Sequence, residues 1–152
     1  MDRHDLLVVA QGAAAAGVLW PGRDRWDVPS VVTGAARGLV VAGLALVAAG
    51  AAPHGTSLTP RVAPPRSAHL LTDGVYARTR HPIYTGLVAA ALGTAVLRRR
   101  ARPLVAAAGL VAVLDAKVRA EEGALAERFG DEYRDYAART PRWLPRVRAA
   151  RP

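Results

Sequence analysis

GLVVAGLALVAAGAA, residues 38–52, is built only from Gly, Ala, Val and Leu. An amphipathic helix of a soluble protein keeps a polar side along its whole length, so a stretch that is apolar all round favours lipid. Extended back to Val31, this run is the only one of four apolar segments that reaches the roughly 20 residues a spanning helix needs. The others are Leu6–Trp20, Ile83–Leu97, and Pro103–Leu114 with an extension to Val118. These three either cross by letting flanking charges such as Arg98 and Lys117 snorkel outward, or they are buried helices of a soluble bundle. Arg37 belongs at an interface or against protein.

Charge is segregated along the chain. The net charge is +9, and 16 of the 33 charged side chains fall between Asp115 and Pro152. Such a surplus fits an anionic bilayer face or nucleic acid. Nucleic acid is disfavoured, because Asp115–Tyr136 holds 7 acidic against 4 basic residues and no nucleic-acid-reading module is visible. With no cysteine in its 152 residues, the chain has no disulfide, thiolate metal site or cysteine nucleophile. That length suits one domain. Met1–Trp20 is expected to be a retained first helix rather than a signal peptide, since Asp2 and Asp5 interrupt its basic start.

The expected fold is all-α: a polytopic membrane helical bundle with about four transmembrane helices plus a C-terminal amphipathic helix. Residues 1–52 supply the N-terminal helices, 53–81 a cytoplasmic loop, 82–118 a helical hairpin and 119–152 a cytoplasmic tail helix. Pro53, Pro60, Pro64 and Pro65 rule out a continuous helix through the loop. With four spans, 14 basic residues lie on the side of the termini and 6 on the other, which places both termini in the cytoplasm and the chain in the cell inner membrane. The Arg98–Arg100 and Arg102 cluster opposes that bias. No strand followed by a glycine-rich turn suggests a Rossmann nucleotide site.

Polar and aromatic groups crowd into GVYARTRHPIYTGL, residues 74–87. Pro82 suits the first turn of a helix, and His81 before it is pushed to an extended conformation. The free N–H groups of that turn, with Arg80 and His81 beside them, attract a carboxylate or phosphate. Alternatively, Arg80 and His81 meet headgroups, Tyr76 and Tyr84 form an interfacial belt, and Gly86 is a close-packing position. Downstream, Glu121 and Glu122 directly follow an apolar segment, where carboxylates are costly unless exposed or paired. They are ligand acceptors or part of a solvated turn. Leu125, Phe129, Tyr133 and Tyr136 share one helical face, read as an amphipathic helix on the membrane surface. Asp131 restarts the helix after Gly130, and Pro141 ends it.

Taken together, HLLTDGVYARTRHPIYTGL and EEGALAERFGDEYRDYAARTPRWLP resemble the isoprenylcysteine carboxyl methyltransferase and phospholipid methyltransferase superfamily. The resemblance covers His69–Pro145. It implies an integral membrane enzyme that binds S-adenosylmethionine without a Rossmann fold, and a lipophilic small molecule or lipid-modified substrate bearing a carboxylate, amine or thiol. Carried onto this chain, the cofactor-binding candidates are His69, Tyr76, Arg80, His81, Pro82, Tyr84, Gly86, Glu121 and Glu122, with no metal. No GxG element appears in the third segment, which argues against a phosphatidylethanolamine acceptor. The competing readings are an NADPH-dependent membrane reductase of the sterol-reductase type and a non-catalytic lipid-binding membrane adaptor.

Overall fold

The computed structural model describes residues 3–20, 26–57 and 69–143. Its elements are α1 (Arg3–Leu19), α2 (Ser30–Ala51), α3 (Pro82–Arg98) and α4 (Ala101–Arg139), with 3-10 turns at Ala52–Ser57 and Gly74–Ala77. No strand occurs among the described residues, as the all-α expectation requires. Residues 58–68 of the proline-bearing loop, Arg23 and Arg25, and the tail from residue 144 lie outside the described residues.

The helices begin and end where local chemistry directs. α3 opens on Pro82, preceded by His81 at φ −127° and ψ 62°. The arginine cluster forms the turn into α4, where Arg99 adopts φ 55° and its carbonyl accepts from the Trp26 N–H at 3.1 Å. α4 runs unbroken past the expected membrane boundary and is interrupted only at Gly130, whose φ of 56° and ψ of −126° are accessible to glycine alone at low cost. The helix resumes there and ends at Arg139, before Pro141.

Small residues decide how α2 meets α3. Ala36, Gly43 and Gly50 on α2, and Gly86 and Gly93 on α3, recur every seven residues and let two antiparallel backbones touch. A Cβ on Gly43 would stand 2.6 Å from the Gly86 carbonyl oxygen, and one on Gly93 2.6 Å from that of Ala36. α1 packs on α4, with Val18, Ala95 and Ala107 forming a small core between α1, α3 and α4. Large apolar side chains instead point outward, among them Leu6, Val9, Val31, Val41, Leu44 and Val105.

One helix, Ser30–Gly55, is long and apolar enough to cross a membrane, while Asp5–Leu19 and Pro82–Arg98 are apolar but shorter. Lys117 departs from the sequence reading. It does not snorkel but is 1% exposed, with its ammonium turned inward to Gln11 of α1.

Filling the α2–α3 contact is expected to loosen the bundle. Gly86→Leu should lower the melting temperature in detergent, in line with overpacking costs of about 1–3 kcal/mol or more. Gly38→Leu, where nothing lies within 4 Å, should leave it unchanged.

Candidate functional site

The loop before α3 is tied at both ends. Tyr76 is buried; its hydroxyl donates to the Gly50 carbonyl at 3.0 Å and lies 2.8 Å from His54 Nε2. Because the one phenolic proton goes to Gly50, His54 must donate through Nε2. Tyr136 donates to the Tyr76 carbonyl at 2.7 Å, so the face predicted to lie on a membrane surface turns Tyr136 onto this loop instead. The break at Gly130 redirects the chain and makes that possible. Beyond α4, residues 141–143 run beside the loop: the Arg80 N–H donates to the Pro141 carbonyl at 2.9 Å and Thr79 Oγ1 to that of Arg142 at 3.1 Å. Thr85 Oγ1 reaches the Trp143 carbonyl at 3.3 Å.

Glu122 sits where these segments meet. Its Oε1 accepts from Arg80 Nη2 at 3.0 Å, His81 Nε2 at 3.2 Å and Arg142 Nε at 3.2 Å, while Oε2 accepts from Arg142 Nη2 at 2.5 Å. An ionised carboxylate only accepts, so His81 carries its proton on Nε2. Burial alone would raise the pKa of Glu122, but the bonds from His81 and Arg142 and the Arg80 charge outweigh it and hold the group at about 2. Arg80 also donates through Nη1 to the Ala137 carbonyl at 2.9 Å, and its Nε is buried without a partner. The Arg142 Nη1 has no acceptor among the described residues.

Glu121 faces a different environment. Burial pushes its pKa upward, against the pull of His81, Tyr84, Lys117 and His54. It is hydrogen-bonded to Tyr84, while its Oε2 is buried without a partner. The Tyr84 ring stacks on His81 with centroids 5.8 Å apart, and Lys117 Nζ stands 5.3 Å from its centre. The result is a cationic group around one carboxylate and, one residue away, a second carboxylate with an open acceptor. That pairing suits a zwitterionic ligand.

Of the candidates read from sequence, Tyr76, Arg80, His81, Tyr84, Glu121 and Glu122 come together here. Pro82 is buried against Gly50, and Gly86 lies in the α2–α3 contact. His69 is exposed and forms no hydrogen bond with the group among the described residues. Four participants went unselected in the sequence: Arg142, His54, Lys117 and Gln11. Arg142 was visible as a cation between Pro141 and Trp143, and Gln11 as the one amide in an apolar run. His54 carried no such signal.

A family model described as the isoprenylcysteine carboxyl methyltransferase (ICMT) family matches residues 36–127. A protein-S-isoprenylcysteine O-methyltransferase of Schizosaccharomyces pombe is 35% identical over 79 residues, covering 51% of this chain and 34% of the relative. Enzyme B of that name from Arabidopsis thaliana is 37% identical over 81 residues, covering 51% of this chain and 40% of its own. The Mus musculus enzyme is 35% identical over 88 residues, covering 54% and 29%. The chain thus spans about a third of the length of the curated relatives it matches.

The depressed pKa of Glu122 sets a pH dependence. A carboxylate lowered from 4.5 to about 2 adds stability that is complete above pH 4.5 and is lost as pH falls toward 2, on the order of 3 kcal/mol. Glu122→Gln should therefore melt well below wild type at pH 7, and the gap should narrow as pH is lowered from about 4.5 toward 2. Thermal melts across that range check this. Glu121, raised rather than lowered, cannot produce it.

Proposed function

Given that the chain belongs to the isoprenylcysteine carboxyl methyltransferase family, we propose that it transfers a methyl group from S-adenosylmethionine to a lipophilic acceptor at a membrane. The observation that carries this is the buried, unpartnered Oε2 of Glu121 beside the cationic Arg80–His81–Arg142 group. An amino acid-like ligand end, with one carboxylate and one ammonium, complements both parts. When bound, S-adenosylmethionine supplies a methyl group on a sulfonium, which leaves as a neutral thioether and calls for no protein nucleophile.

The side chains then have separable tasks. Arg80, His81 and Arg142 carry one charge more than Glu122 cancels even with His81 neutral, and that surplus favours a ligand carboxylate. The open oxygen of Glu121 receives an ammonium or a ribose hydroxyl. The ring of Tyr84, with His81 stacked on it and Lys117 over it, packs beside the ligand. Trp143, with its ring 6.4 Å from that of His81, helps keep water from the site. Pro82 and Gly86 shape the wall by packing, and His69 reaches a ligand only from the solvent side.

In this reading α1–α4 all cross the bilayer, α4 through its part up to Val118, with both termini on the cytoplasmic side of the cell inner membrane. The outward-facing Leu and Val side chains support lipid around the bundle. Helices of 17 residues, α1 and α3, stand at the lower limit for a span. The acceptor, lipid-modified or simply lipophilic, enters from the bilayer. The matches with known proteins favour neither the reductase nor the adaptor.

In detergent, the full chain should bind S-adenosylmethionine in preference to NADPH. Arg80→Ala and Glu121→Ala should each weaken that binding by about 10- to 100-fold, the worth of a hydrogen bond to a charged group. Both variants binding as tightly as wild type would rule out the site, and preference for NADPH would rule out methyl transfer.

A further inference from the structure

Among the described residues, Lys117 is the one Lys or Arg side chain sealed inside the helix bundle. Its ammonium has three protons to place and shows two neighbours: Gln11 Oε1 at 2.8 Å and the face of Tyr84. It makes no ion pair among the described residues, and Glu121, one helical turn on, acts on it only through space. A buried ammonium held by one neutral amide is expensive, and such a group within apolar helices marks a place where an anion is received. Holding α1 against α4 would need no charge, since Gly17 and Ala106 already pack there.

We propose that Lys117 and Gln11 form the receptor for the carboxylate of the lipophilic acceptor. Their position supports this. Lys117 precedes Glu121 by one helical turn, so an acceptor held at Lys117 lies next to the methyl-donor site. Tyr84 touches both sites, stacking on His81 and lying under Lys117, so the two ligands meet across one ring. Gln11 lies outside the stretch matched by the family model, so α1 brings its own contribution to acceptor choice. An ammonium distinguishes a carboxylate from its uncharged amide, which gives the pair a measurable selectivity.

This inference rests on the proposed methyltransferase reading, and the experiment separates the two. Binding of N-acetyl-S-farnesylcysteine and of oleate, each compared with its carboxamide, is measured on the full chain in detergent, alongside S-adenosylmethionine binding. Wild type should prefer at least one acid over its amide by tenfold or more. Lys117→Met should abolish that preference, and Lys117→Arg should retain part of it. Melting curves identify a variant that has not folded, in which case Gln11→Leu takes its place and should reduce the same preference. Equal binding of acid and amide by wild type, no binding of any acid, or an unchanged preference in folded Lys117→Met or Gln11→Leu overturns the receptor. Loss of S-adenosylmethionine binding by wild type overturns the methyltransferase reading instead.

Discussion

A single carboxylate ties two other pieces of chain to α4. Glu122 on α4 accepts from Arg80 in the loop before α3, from His81 at the start of α3, and from Arg142 beyond the end of α4. Each of these donors is costly to place next to an apolar bundle without a counter-charge, and the carboxylate is equally costly without them. Removing any one member therefore leaves buried charge behind, which is why the arrangement behaves as a unit. The backbone bond from Arg80 to Pro141 and the hydroxyl bonds from Thr79 and Thr85 to the carbonyls of Arg142 and Trp143 join the same segments.

The segment that carries Arg80 and His81 is seated on the end of α2. Glycine and alanine at seven-residue spacing allow the two backbones to touch, and the same contact seats Pro82 on Gly50. Gly50 also offers its carbonyl to Tyr76. The loop thus hangs from the end of α2 at the height where α4 presents its two glutamates. Close packing of small residues and the chemistry of the site are consequences of one geometry.

Adjacent glutamates on a helix point about 100° apart, so the same dipeptide serves two surroundings. Glu122 is saturated by cations and holds the architecture together. Glu121 turns toward Tyr84 and Lys117, away from the arginines, and keeps one oxygen unpaired. The first is a clasp, and the second is the one the proposed ligand would meet. Lys117, on the same helix and one turn earlier, extends this polar track to Gln11 of α1.

By itself the sequence determined the helical class, the start of α3 at Pro82, the interruption at Gly130, and the cluster from Tyr76 to Glu122. These rest on local rules: the ring of proline, the freedom of glycine, and the cost of charge beside apolar residues. Which glutamate binds arginine, where the tyrosines of α4 turn, and that Lys117 looks inward were decided only in three dimensions. Local spacing places side chains on a helix face but does not say what that face meets. Arg142 and His54 lie 20 or more residues from their partners Glu122 and Tyr76, and only the folded chain, by bringing opposite charges and lone hydrogen-bonding groups out of water together, could reveal them.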